Sequence, residues 1–396
     1  MNSRRQFLRQ AALGAAAIST IPSLLRGAGE APASAAAATA PQPAAGAAGR
    51  LLPLVDWHSH IVTPGELHFL SGRPQAPRVF TDSQGRQLFE NVTTVSSVAR
   101  GASPTSPSDI ATRIRHLEAS GVQRQLLTYT VAIGYDATLP VEELRPFFRG
   151  LNDELAAIVR AHPDRFLGVA ALPTTDPVWA AEELARAHKE LGLIGAALPL
   201  NAFATLESAR TLAPVFAAGQ RLNSHFFIHR APASPKLPGQ PPLIVPTDIE
   251  SVRWSVISNT HLVNGALTLG LTDFLEPYPD VSVQVIMLGG FLPYLIDSII
   301  ASGPKLGIKD PLQRLRRIYL EPGPYSGSNS DWVAYAAAKF GADRILFGTD
   351  YGVGGGTATD RLTPSLAKLD AALTPAQRQL IYVDNTRALL KAKGIS

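Results

Sequence analysis

The chain has 396 residues, no cysteine, and 36 basic against 32 acidic side chains. That length is enough for one large domain or two ordinary ones with a sizeable core. The missing cysteines exclude disulfide staples and thiolate ligands, so any metal must be held by imidazole and carboxylate. The basic excess is local, because five arginines (Arg4, Arg5, Arg9, Arg26, Arg50) and one glutamate (Glu30) fall in the first 50 residues. This leaves 31 charges of each sign elsewhere, which excludes the basic footprint of a nucleic-acid binder.

In chain order, SRRQFL (Ser3 to Leu8), the weakly apolar AALGAAAISTIPSLL and then Arg26 have the layout of a bacterial export signal and resemble the twin-arginine type. The apolar stretch would also fit a short buried helix, but it is too short for an ordinary membrane span. A charge-poor Ala/Pro tract follows and reads as cleavage region and linker, with Ala35 or a nearby alanine at the cut. The expected organisation is a signal peptide over 1–35, a linker over 36–50 and one metal-dependent domain over 51–396. The mature protein is expected to be periplasmic or secreted, with no stable membrane span.

Past residue 50, short β-branched runs alternate with helical patterns. The runs are LVDWHSH (54–60), RQLLTYTV (124–131), FLGVAALP (166–173), IGAALPL (194–200), HFFIHR (225–230), VSVQVIML (281–288), RIYLEPG (317–323) and RILFGTD (344–350). Between them lie SDIATRIRHLEASG, VEELRPFFRGLNDELAAIVRAHP, PVWAAEELARAHKELG and SDWVAYAAAKFG, several opened by Ser or Asp and closed by Gly or Pro. Eight such units predict an α/β fold, a (β/α)8 TIM barrel, with a doubly wound open sheet as the alternative. Two Pro/Ser/Arg-rich interruptions, 62–106 and 231–259, follow strands one and five and are expected to rise as insertions at the C-terminal face.

The chemistry-bearing residues gather at strand ends. His58 and His60 lie two apart, so both rings point the same way at the mouth of strand one. His229 ends strand five and Asp350 ends strand eight, and three imidazoles with one carboxylate make a divalent-metal site with room for water. His225 lies four residues before His229, roughly 13 Å lower, and is expected to be a buried, hydrogen-bonded histidine. His116, His162 and His188 fall in helical patterns and read as surface groups. Arg230 follows His229, and Arg73 and Arg78 lie in the first insertion; all three are candidate contacts for a substrate carboxylate. GVGGG (352–356) lacks the Lys and helix of a phosphate loop, and no Gly-x-Ser-x-Gly elbow occurs.

The Asp-x-His-x-His start, the fifth-strand His, GGFLPYL (Gly289 to Leu295) and the closing ILFGTDYG resemble the amidohydrolase superfamily in its aminocarboxymuconate-semialdehyde decarboxylase-like branch. LNDELAAIVRAHPDRFLGVAALP and AEELARAHKELGLIGAALP extend the likeness, which covers roughly residues 54 to 390. The resemblance implies a (β/α)8 barrel holding one divalent ion, usually zinc, on His58, His60, His229 and Asp350. It also implies loss of a carboxylate group without oxidation, and often a homodimer. One departure stands out: the family's sixth-strand histidine, which assists proton transfer, is replaced here by Met287, and a thioether neither takes nor gives a proton. His261 and Asp350 are the groups left for that task. The expectation is a metal-dependent carboxy-lyase acting on a small unsaturated or aromatic acid with Asp350 relaying a proton. Hydrolysis of a lactone, amide or ester by the same residues, and a non-catalytic binding protein, stand as alternatives.

Overall fold

The computed structural model describes residues 54–92, 99–129, 139–234, 237–239, 248–352 and 359–395. The expected signal, linker and cleavage site lie outside these, as does most of the GVGGG string. Among the described residues no helix is long and apolar enough to cross a membrane. Residues Leu51–Ser396 form one compact unit.

The architecture is a ring of short parallel strands wrapped by helices. Strand β1 (Val55–Ile61) pairs with β5 (Arg124–Tyr129), and β5 pairs with β6 (Phe166–Gly168). After Val169, β7 (Ala170–Ala171) continues the path into a second run of parallel pairs, through β8 (Gly195–Pro199), β9 (His225–His229) and β10 (Ser282–Val285) to β11 (Tyr319–Leu320). Val169 N bonds Leu127 O and ties the two runs together. All seven residues of β1 are buried, as expected of a parallel strand with the ring's core on one side and helices on the other.

The expected eighth strand, Arg344 to Asp350, is not a regular ladder. It is an extended segment that meets β11 through Leu346 N to Leu320 O and β1 through Trp57 N to Phe347 O, with one isolated bridge to each side. Its departure from β geometry has a tertiary cause. Thr349 turns its amide and hydroxyl onto the buried Asp56 carboxylate, and Asp350 sits at a positive φ of 59°.

Helix ends follow the predicted signals. Asp109 caps Ile110–Ser120, which Gly121 closes at φ 73°, and Asp176 caps Pro177–Lys189 with proline in the first turn. The first insertion holds helix Pro64–Ser71 and a three-stranded antiparallel sheet, β2 (Arg78–Thr81), β3 (Gln87–Val92) and β4 (Ala99–Pro104). The second insertion is shorter than expected, because helix Glu250–Leu271 starts inside the range 231–259. Ser and Asn in ESVRWSVISNT mask the helical period there, which becomes plain only where Leu262, Val263, Ala266 and Leu269 reach the core.

Candidate metal centre

Strand ends bring His58, His60, His229 and Asp350 together. His58 and His60 are 1% and 0% exposed, and the Asp350 side chain, at 19%, faces solvent at the rim. The three imidazoles stand edge-on to one another, with ring centroids 4.8 to 5.4 Å apart. One nitrogen from each lies within 4.8 Å of the others.

Hydrogen bonds behind the rings fix which nitrogens face inward. His58 Nδ1 lies 2.6 Å from Glu321 Oε1, a carboxylate oxygen that accepts, so the ring proton sits on Nδ1 and the Nε2 lone pair points into the cluster. Thr128 Oγ1 donates to Ser59 O at 3.1 Å and therefore accepts from His60 Nδ1 at 2.9 Å, which leaves the His60 Nε2 lone pair inward as well. These two nitrogens are 3.0 Å apart, and Asp350 Oδ1 lies 3.3 and 3.1 Å from them. With both rings neutral these atoms form a tight triangle of acceptors, beside His229, whose buried Nδ1 has no hydrogen-bond partner among the described residues.

Such an arrangement is repulsive unless positive charge sits at its centre. Nitrogen and oxygen ligands about 2.0–2.2 Å from one ion, at tetrahedral to octahedral angles, lie roughly 3 Å apart, so the residues fit a divalent cation.

Without an ion, a proton on His58 supplies part of that positive charge. Burial alone would lower the His58 imidazole, yet the Glu321 carboxylate, helped by Asp350 and Asp56, carries it up to about 9. Burial pushes His60 down, and pushes His229 well down with help from the neighbouring rings. Burial would raise Asp350, but its close contact with His60 Nε2, positive charge on the imidazoles of the ion-free chain and Arg361 hold its carboxyl below the ordinary range. Arg361 also donates to the Asp350 carbonyl at 3.0 Å.

Asp56 is a structural knot. It accepts from His58 N, Gln125 Nε2, Thr349 N and Thr349 Oγ1, joining three stretches of the ring beneath the site.

The other candidates divide. Arg230 lies just past the end of β9, its Nη1 donating to Ser258 Oγ and its guanidinium over the Trp254 ring. Arg73 and Arg78 are not brought to the cluster; they pair with Glu143 and Glu90 and also donate to Pro77 O and Pro74 O, because the insertion sheet and neighbouring helix offer carboxylates locally. His225 is buried and hydrogen-bonded to Ser282 and Gln284, as expected. His116 and His188 are not plain surface groups, since they bond Tyr351 Oη and Ser224 Oγ where their helices meet the ring. His261 lies half-buried within helix Glu250–Leu271.

Met287, half-buried, opens a left-handed turn at φ 51°. Glu321 and Thr128 were missed by sequence reasoning. Thr128 lies within β5 and Glu321 directly follows β11, and neither carries a sequence pattern that marks it.

The amidohydrolase family model matches residues 55–260, a little over half of the chain. The chain belongs to the amidohydrolase family. This amidohydrolase is 28% identical over 258 residues to γ-resorcylate decarboxylase of a Rhizobium species, covering 61% of the chain and 76% of that protein. A shorter match, 34% over 118 residues and about a third of each protein, is to 2-amino-3-carboxymuconate-6-semialdehyde decarboxylase of Dictyostelium discoideum. Among solved structures, 5-carboxyvanillate decarboxylase from Sphingomonas paucimobilis superposes with a TM-score of 0.63 at 18% identity, over 87% of this chain and all of that one. A dihydroxybenzoic acid decarboxylase from a Polaromonas species, solved with manganese, gives 0.60 at 21%, over 86% and 97% of the two chains. The structural likenesses establish the barrel fold of the amidohydrolase.

Proposed function

We propose that this amidohydrolase is a metal-dependent carboxy-lyase of the aminocarboxymuconate-semialdehyde decarboxylase-like branch. It removes carbon dioxide, without oxidation, from a small aromatic or unsaturated carboxylic acid. The observation that carries this reading is the triangle of acceptors at His58, His60 and Asp350, and the named activities of the curated relatives supply the reaction class.

His58, His60, His229 and Asp350 would hold the ion, which when bound polarises substrate oxygens and draws off negative charge. The remaining work belongs to the chain. The buried imidazoles form a rigid floor, and Asp350 is the member of the cluster that meets the incoming acid. Departure of carbon dioxide breaks one carbon–carbon bond; its electron pair stays on the substrate carbon, which must then take up a proton. Held anionic at rest, Asp350 accepts a proton from solvent at the mouth and delivers it to that carbon. Arg230 and Trp254 supply a cation and a flat aromatic face beyond His229, suited to a carboxylate on an aromatic ring.

Zinc is the ion we propose, with manganese, the metal of the Polaromonas decarboxylase structure, as the competitor that elemental analysis distinguishes. Arg4, Arg5 and the Ala/Pro tract support export of the folded chain, and the N-terminal residue of the mature protein tests it. Met287 favours one second reading, a protein that binds the acid without turning it over. Incubation with a panel of hydroxybenzoates and muconate semialdehydes separates the cases. Released carbon dioxide with the matching decarboxylated product is expected; a hydrolysed or ring-opened product, or binding without turnover, overturns the lyase reading.

A further inference from the structure

Glu321 is buried at 0% exposure and directly follows β11, on the far side of His58 from the acceptor triangle. Its Oε1 lies 2.6 Å from His58 Nδ1, and its Oε2 accepts from Gly323 N, also at 2.6 Å. The backbone leaves room for this pair. A side chain at Gly348 would sit 2.2 Å from Glu321 Oε2 and 3.0 Å from His58 Cβ, and one at Gly323 would sit 3.0 Å from His58 Nδ1. The Glu321 carbonyl also accepts from Leu288 N, so the residue is anchored to the turn that carries Met287.

A buried carboxylate is costly unless its charge is answered. Asp56 and Arg113 answer each other through Gln125, which accepts from Arg113 and donates to Asp56. Among the described residues Glu321 has no lysine or arginine partner; beyond Gly323 N it faces His58, a ring that must be neutral to ligate. With three neutral imidazoles, Asp350 and Glu321 together carry two negative charges, the number that a divalent ion balances.

We propose that Glu321 is a positioning residue for the metal centre, fixing the His58 tautomer and supplying the second negative charge that sets divalent affinity. This rests on the metal-dependent reading above. Outer carboxylates of this kind change metal affinity by about 10- to 100-fold when removed.

The test is a chelator competition titration of the metal-stripped chain with Zn2+, Mn2+ and Co2+, on the wild type and on Glu321→Gln, which keeps a hydrogen-bond acceptor and loses only the charge. The inference expects a 10- to 100-fold weaker affinity for each divalent ion in Glu321→Gln, a shifted Co2+ absorption spectrum, and an unchanged circular dichroism spectrum. Affinity within twofold of wild type and an identical Co2+ spectrum would overturn it while leaving the metal reading intact; failure of the wild type to bind any divalent ion would overturn both. Should Glu321→Gln not fold, 15N-edited spectra of wild-type imidazoles decide instead. A His58 proton on Nδ1 in the loaded chain supports the role, and one on Nε2 contradicts it.

Discussion

Two buried carboxyl groups, Asp56 near the start of β1 and Glu66 in the helix after it, show how differently the fold treats the same chemistry. Asp56 receives four hydrogen bonds, and burial still carries it up to about 6. Glu66 is completely buried and, among the described residues, neither side-chain oxygen makes a hydrogen bond of normal geometry; burial, with the charge of Glu154, outweighs the nearby Thr63 backbone and pushes its carboxyl well above the usual value. A group with a raised folded pKa is fully compatible with the fold below its unfolded value of about 4.3 and increasingly costly as pH climbs past it. Glu66→Gln is therefore expected to raise the melting temperature more at pH 8 than at pH 5, and equal shifts at the two pH values would contradict the assignment. At the site itself, Asp350→Asn is expected to lower kcat by about 10²- to 10⁴-fold, the usual worth of general acid-base help, with the melting temperature of the metal-free chain little changed. The ligand cluster was legible because each member ends a strand-like run, and strand ends converge at one face of a parallel barrel. Glu321 was not, since a single glutamate before Pro-Gly carries no pattern until the ring places it behind His58. Arg73 and Arg78 show a related point: an arginine in a loop declares its charge but not the carboxylate it will meet.

At the scale of elements, the connection after β10 is the most constrained. Met287, Leu288, Gly289 and Gly290 all have positive φ, an unusual run for two residues with side chains. Its bonds run to Ile286 O, Met287 O and Glu321 O, which locks the turn against the segment that bears Glu321. A Cβ at Gly290 would come within 2.4 Å of Asn259 O, and its φ of 67° strains any L residue. Gly290→Ala is expected to cost about 1–3 kcal/mol of stability, read from the urea midpoint at unchanged m-value; a loss under 0.5 kcal/mol would show that the turn relaxes freely. The eighth strand teaches the complementary lesson. RILFGTD has the apolar run of a central strand, but the polar grip of Thr349 on Asp56, 293 residues away in sequence, outweighs local propensity and bends the segment.

Over the whole molecule, the polar groups beneath the barrel complete what the rim begins. Trp57 Nε1 donates to Thr386 Oγ1, Asn385 holds the carbonyls of Ala342 and Ile345, and Lys393 reaches Asn223, Ser224 and Asp280. The C-terminal helix Asn385–Ala392 thereby joins β1, the irregular eighth segment and the base of β9. His225, buried at that base, is held down to about 3 by burial, with the nearby Lys393 adding to the effect. Because its folded pKa lies below the unfolded value, the stability it shares in is present at neutral pH and is lost as pH falls from about 6.5. The wild type is expected to lose melting temperature between pH 7 and pH 4, and His225→Gln to flatten that slope; parallel slopes would assign the acid sensitivity elsewhere. The alternation of strands and helices made the barrel readable, since each unit carries its own period and caps. The length of the second insertion was not readable, because a polar helix shows its period only once a core exists to face.

The central claim is that four strand-end side chains hold one divalent ion. Elemental analysis of the exhaustively dialysed chain, beside His60→Ala prepared identically, tests it most directly. One first-row divalent ion per wild-type chain is expected, with none retained by the variant. A wild-type chain that keeps no ion after incubation with zinc or manganese, or a variant that keeps a full equivalent, would contradict it.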